Sequence, residues 1–206
     1  AIERAERVRL PLGTVLSRHA TQVVLGTLAT FATFALFYLM TVWALGHGTA
    51  RLGYDKESFL LLQMAGIVFF ALGIPISARW GDRGGTAPAM VIASVCIIVF
   101  GLCFAPLFVA GEPLRVLLFL ALGFFFMGLT YGPCGTLLAQ LYPVPVRYTG
   151  ASLSFNLAGI LGAAPAPYIA TGLAERYGLP AVGAYLALTA AVSLGALLLS
   201  RKYLER

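Results

Sequence analysis

Charge is what this sequence has least of. Only 11% of its 206 residues are Asp, Glu, Lys or Arg, against about a quarter in a soluble domain. So few cannot cover a water-facing surface, and the 60% share of the nine most apolar residue types, with a mean hydropathy of +0.90, points the same way. No hydrophilic stretch reaches the ~50 residues that an independent soluble domain needs. The apolar runs also lack the strict alternation of membrane-barrel strands. An all-helical membrane protein remains, because spans of about 20 apolar residues, six of them with short loops, fill the chain.

Cysteine is scarce too. Cys96, Cys103 and Cys134 each lie inside an apolar run, which argues against a disulfide framework or zinc site and for small buried hydrophobes. There is no phosphate-binding Gly-Lys-Ser/Thr loop, no paired carboxylates at helical spacing and no His-Glu-x-x-His pair. His19 and His47 fall at opposite ends of the first apolar run. No enzyme, metal or cofactor is therefore expected. A net charge of +6 suggests no nucleic-acid partner, since the basic residues sit at loop ends rather than on one patch. The chain opens on Ala1, and residues 1–10 lack the apolar core of a signal peptide; it reads as an excised piece with something joined in front of it.

The spans are expected at Thr21–Ala44, Ser58–Ser77, Pro88–Ala110, Val116–Leu141, Ala151–Leu173 and Pro180–Ser200. Residues 1–20 then read as a cytoplasmic linker, 21–200 as the transmembrane bundle and 201–206 as a cytoplasmic tail. Ten of the 14 Lys and Arg residues fall on one side, including Arg18, Arg79, Arg83, Arg147 and Arg201, while Arg51, Lys56, Arg115 and Arg176 fall on the other. The positive-inside rule puts both termini in the cytoplasm.

Small residues four apart let membrane helices approach closely. Gly128 and Gly132 form such a pair, followed by Gly135; Ala158 and Gly162 form another, with Gly159 and Ala163 beside them. They can serve as tight packing surfaces, as sliding surfaces, or as both. Pro75, Pro133, Pro165 and Pro167 remove backbone donors inside spans, which suits cavity-lining or flexing helices.

The few polar side chains are informative by position. Thr27, Thr30, Phe34, Tyr38 and Thr41 follow three- and four-residue steps along the first span. Gln63 stands alone in the second, Thr130 and Tyr131 lie in mid-fourth, and Ser152, Asn156 and Gly159 share a face of the fifth. The first, second, fourth and fifth spans are thus the cavity candidates, although each polar group could equally bond to a neighbouring helix. No Asp, Glu, Lys, Arg or His lies in the middle of a span. Any proton-carrying group must then lie outside this chain.

Two stretches carry a resemblance. Tyr131-Gly132-Pro133 runs into Leu141-Tyr142-Pro143, then Val146-Arg147-Tyr148-Thr149-Gly150-Ala151-Ser152-Leu153, and on through Asn156-Leu157-Ala158-Gly159 to Ala166-Pro167-Tyr168-Ile169-Ala170-Thr171. The second stretch is Ile76 to Gly84. Together they resemble the metabolite:proton symporter family of the major facilitator superfamily. That resemblance implies a six-transmembrane-helix bundle, one half of a twelve-helix major facilitator fold, with these residues as helices seven to twelve. It also implies that helices seven, eight, ten and eleven line a central cavity while nine and twelve face lipid.

The chain departs from the family pattern at four places. Ala78 replaces the Asp before Arg79, and Gln140 replaces a carboxylate at the end of helix ten. Thr30 and Thr33 stand where some members have Arg and Glu. A weakened or rewired cytoplasmic latch follows, with Asp82 available to Arg79, Arg83 or Arg147.

The expected function is that of the C-terminal domain of a secondary active transporter, a proton-coupled symporter of a small polar metabolite such as an organic acid or zwitterionic osmolyte. It would be integral to the plasma (inner) membrane and work by alternating access with an N-terminal six-helix half. Expected cavity residues are Thr30, Phe34, Tyr38, Gln63, Tyr131 and Asn156. The cytoplasmic gate would use Arg79, Asp82, Arg83, Gln140 and Arg147, and helix packing or hinging Gly128, Gly132, Pro133, Gly159 and Gly162. A channel-like pore subunit and a non-transporting membrane scaffold are the rival readings.

Overall fold

The computed structural model describes residues 11–204. Expectations resting on residues 1–10, Arg4, Arg7 and Arg9 among them, and on 205–206 lie outside the described residues. Within them every regular element is helical, and five stretches are long and apolar enough to cross a membrane, with a sixth apolar helix shorter.

The expected linker segment contains a short helix, α1 (Pro11–Arg18), whose Val15 is fully buried beside Cys134 and Leu138. The first span is α2 (Ala20–Tyr38), a π-helical segment (Leu39–Trp43) and α3 (Ala44–Ala50). The second is α4 (Lys56–Gly84) and the third α5 (Thr86–Leu102), followed by the single turn α6 (Phe104–Leu107). The fourth is α7 (Pro113–Gln140). A 3-10 turn (Val144–Val146) leads into the fifth, made of α8 (Arg147–Ala163) and α9 (Ala166–Tyr177); α10 (Leu179–Leu204) is the sixth.

Proline explains where the helices depart from the expected spans. Pro106 offers no N–H to the Leu102 carbonyl and its ring strikes that carbonyl, so α5 stops at Leu102 and the third span falls short of Ala110. Pro165 and Pro167 interrupt the fifth span between Ala163 and Ala166 in the same way. Pro75 and Pro133 lie inside α4 and α7, which remain continuous.

Helix α4 begins at a capped end. Asp55 is its N-cap, accepting a hydrogen bond from the Ser58 amide at 2.9 Å, with Glu57 in the first turn and Arg83 in the last. These charges complement the helix dipole. The Ser58 hydroxyl, and after it the Ser58 amide, hold the Asp55 carboxyl below the usual carboxylate range. The cap is therefore at full strength above that range and weakens as the pH falls through the lower folded value. Asp55→Ala is expected to speed hydrogen exchange in the first turn of α4 at neutral pH, while Asp55→Asn, which keeps the acceptor, stays close to the unaltered protein.

Helix α4 lies along α7 as the most extensive pairing in the bundle; α10 packs on α5 and α2, and α8 on α2. The α4–α7 contact is backbone on backbone. A Cβ at Gly73 would stand 2.6 Å from the Phe125 carbonyl oxygen, and one at Gly128 would collide with the Phe70 carbonyl oxygen. At Gly132 it would strike Ser77 Oγ and stand 2.8 Å from the Ile74 carbonyl oxygen. A second close approach joins α5 to α10, where a Cβ on Gly101 would lie 2.6 Å from the Gly183 carbonyl oxygen.

A cluster of aromatic rings fills one end of the bundle. Phe108 stacks on Phe119 at 4.5 Å and 19°, with Phe104 edge-on to Phe119 at 4.7 Å. Trp43, Phe59 and Phe100 complete this core.

Candidate substrate cavity

A cavity of about 350 Å³ opens where α2, α7 and α8 meet. From α2 it receives Thr33, Phe34, Phe37 and Tyr38; from α7, Met127 and Tyr131; from α8, Phe155, Gly159 and Ala163. The local sequence dictates this. Phe34 and Tyr38 are four apart on α2, and Phe155, Gly159 and Ala163 repeat at four on α8, so each set shares a helix face.

Aromatic rings shape the walls. Phe34 and Phe155 meet edge to face at 4.9 Å and 80°, and Phe37 lies 5.3 Å from Tyr38. Tyr131, 44% exposed, leans on Phe70 at 5.6 Å. No charged side chain lines this space. The hydroxyls of Tyr38 and Tyr131 and that of Thr33 supply its polar side-chain groups, so the chemistry on offer is hydrogen bonding and ring contact, not proton transfer or nucleophilic attack.

The expected cavity residues divide. Phe34, Tyr38 and Tyr131 come together here. Thr30 does not line it; it is fully buried, its hydroxyl donating to the Gly26 carbonyl at 3.0 Å. Asn156 is exposed and donates to the Ser152 carbonyl of its own helix at 2.8 Å. Gln63, buried on α4, donates from Nε2 to the carbonyls of Met40 at 2.7 Å and Thr41 at 3.0 Å. The expected packing glycines divide as well. Gly128, Gly132 and Gly162 sit against neighbouring backbone, whereas a Cβ on Gly159 would meet only the Phe34 ring, at 3.6 Å. Pro133 is buried in α7.

Sequence reasoning missed Phe37, Met127 and Phe155. The four-residue repeat of Phe155, Gly159 and Ala163 was the available signal; polarity drew attention to Asn156 instead, one position round the helix. It also missed the Tyr142–Ser154 hydroxyl pair at 2.6 Å, which ties the end of α7 to α8.

At one end of the bundle, Arg79, Asp82 and Arg83 are exposed on the last turns of α4. Arg147 Nε donates to the Tyr142 carbonyl at 3.2 Å. Among the described residues Asp82 forms no ion pair with Arg79, Arg83 or Arg147. Gln140 borders a second cavity of about 510 Å³ with Thr86 and Arg201. At the other end, Arg51 and Glu175 pair at 3.0 Å, more than half exposed. Such a pair contributes ~0.2–1 kcal/mol, too little to hold α3 on α9. Beside it lies a cavity of about 390 Å³ bordered by Trp43 and His47.

No family profile matches the chain. Individual proteins do. The chain is 46% identical over 202 residues to the inner membrane metabolite transport protein YhjE of Escherichia coli strain K12, across 96% of this chain and 46% of that protein. A Haemophilus influenzae chain designated only in general terms as a metabolite transport protein is 34% identical over 214 residues, across 98% of this chain and 49% of its own length. A citrate-proton symporter of Salmonella typhi is 30% identical over 158 residues, across 76% and 36%. The chain spans about half the length of the curated relatives it matches.

Five helical stretches long and apolar enough to cross a membrane, a sixth shorter one, and relatives named as transport proteins define the class: an integral membrane protein matching about half of a transport protein. The helices fit one six-helix half of a twelve-helix major facilitator transporter, and over nearly its whole length the chain is similar to about half of each of these metabolite transport proteins.

Proposed function

We propose that this chain is the C-terminal half of a proton-coupled symporter of the inner membrane, carrying a small polar metabolite by alternating access. The observation that carries this reading is the uncharged, aromatic-walled cavity between α2, α7 and α8. Transporter sites of this architecture lie near the midplane, at the interface between two bundles that rock against each other. An N-terminal six-helix half would close the cavity and bring the proton-titrating group that these spans lack. The name of the citrate-proton symporter relative supports proton coupling and an organic acid; that of the ectoine/proline transporter ProP of Corynebacterium glutamicum, 25% identical over 176 residues, supports a zwitterionic osmolyte.

In this reading Phe34, Tyr38 and Tyr131 contact the substrate, with Thr30, Gln63 and Asn156 behind or beside them. Residues 1–20 and 201–206 are cytoplasmic, and Arg79, Asp82, Arg83, Gln140 and Arg147 form the cytoplasmic gate. The α4–α7 glycines and Gly162 let the helices shift, with Pro133 and Gly159 as flexible points.

Uptake by the full-length protein in proteoliposomes tests the reading, with citrate, shikimate, proline and betaine as labelled candidates. Accumulation against a gradient, driven by an inward proton gradient and abolished by a proton ionophore, is the expected result. Downhill flux that ignores the ionophore would point to a channel. No flux of any candidate would favour a scaffold.

A further inference from the structure

The first span is irregular at one place only, the π-helical segment Leu39–Trp43. In an α-helix the Ala44 amide would donate to the Met40 carbonyl, four residues back. Here it donates to the Leu39 carbonyl, five back. The Met40 carbonyl thus loses its regular helical donor, and in a bilayer interior no water replaces it. The Gln63 amide does: Nε2 lies 2.7 Å from the Met40 oxygen and 3.0 Å from that of Thr41. Single π bulges are uncommon and recur at functional sites.

The bulge matters because of what flanks it. Tyr38, immediately before, faces the cavity between α2, α7 and α8. Trp43 and His47, stacked at 4.7 Å, face the separate cavity beside the Arg51–Glu175 pair. One residue of a helix turns through about 100°, so gaining or losing the bulge would swing one set by about a quarter turn relative to the other.

We propose that Gln63 is a positioning residue. Its side-chain amide caps the carbonyl freed by the π segment and so fixes the rotation of Tyr38 relative to Trp43 and His47. Release of that cap, from the neighbouring helix α4, lets the segment interconvert between π and α hydrogen bonding, which opens its amides and turns Tyr38 away from its place in the wall. The consequence for transport rests on the cavity reading above; the cap itself does not. Tyr38, His47, Lys56, Glu57, Cys96 and Tyr131 are titratable groups on the helices around this contact, and none hydrogen-bonds to Gln63.

Two variants of the full-length protein test this, read by hydrogen–deuterium exchange of the peptide covering residues 39–47 and by uptake. Gln63→Leu removes both donors. Gln63→Glu is acceptor-only when ionised and regains one O–H donor when protonated. Exchange is expressed at each pH as a ratio to the unaltered protein, which cancels the intrinsic pH dependence. The expected ratio for Gln63→Leu is at least tenfold at both pH 5 and pH 9.5. For Gln63→Glu it is at least tenfold at pH 9.5 and within threefold of one at pH 5. A Gln63→Leu ratio near one, or a Gln63→Glu ratio that does not change with pH, overturns the proposal. Should Gln63→Leu fail to fold, Gln63→Glu decides alone, since it is compared with itself at two pH values. In the uptake arm, kcat should fall at least tenfold for Gln63→Leu. Absence of uptake by the unaltered protein would instead count against the transporter reading and leave the exchange result to judge the cap.

Discussion

A single methyl group added at Gly128 will unseat α4 from α7, whereas the same methyl at Gly135, two turns along the same helix, will not. The Cβ of an alanine at Gly128 would collide with the Phe70 carbonyl oxygen and stand 3.1 Å from Gly73 Cα, both part of the α4 backbone. Neither atom belongs to a flexible side chain, so the helices must separate along their length. Overpacking a well-packed site costs ~1–3 kcal/mol, and a backbone collision belongs at or above the top of that range. At Gly135 an added Cβ meets nothing within 4 Å, and alanine there gains up to ~1 kcal/mol of helix propensity. Melting curves of the two purified variants in detergent should diverge: Gly128→Ala well below the parent, Gly135→Ala at or slightly above it. Equal melting temperatures would mean that the α4–α7 seam yields to an added methyl group.

Gly159→Leu, by contrast, should leave the fold intact and stop transport. An added Cβ there sits at ordinary contact distance from the Phe34 ring, and the remaining leucine carbons project into the cavity of about 350 Å³ that substrate is proposed to enter. Uptake should fall at least tenfold while the melting temperature stays within a few degrees of the parent. Gly159→Ala, whose methyl fits at 3.6 Å from Phe34 Cε1, should retain most activity. Near-normal uptake by Gly159→Leu would move the substrate path elsewhere. The two glycines thus separate packing from passage although both look like membrane-helix spacers in sequence.

Much of the bundle was legible because the bilayer enforces a simple code. Long apolar runs had to be helices, and Gly128 and Gly132, singled out by their spacing, lie on the close-packed face toward α4. Phe34, Tyr38 and Tyr131, chosen for their polar or aromatic character and their spacing, line one cavity. What stayed hidden depended on contacts between distant segments. Gln63 stood out as a lone polar residue, yet its partners are two carbonyls more than twenty positions earlier, in the first span, where the π segment frees that of Met40. The α5–α10 approach was hidden for a similar reason: Gly101 and Ala105, like Gly183 and Ala187, carry the four-residue spacing of small residues, but nothing local says that these two helices meet. The end of the third span was misplaced because hydropathy continues through Pro106, whereas the backbone hydrogen-bond ladder does not.

Ser193 on α10 accepts from the Ala32 amide at 3.0 Å and donates to the Leu28 carbonyl at 2.8 Å, inserting its hydroxyl between a donor and acceptor one turn apart on α2. Ala32 and Ser193 are separated by 161 positions. Ribosomes make the first span long before the sixth, so this face of α2 enters the bilayer without the helix that will cover it. Four other spans are threaded in the meantime. Completion of the bundle is consequently a late event in biosynthesis, and until then the nascent chain presents the Leu28–Ala32 face to lipid or to the insertion machinery.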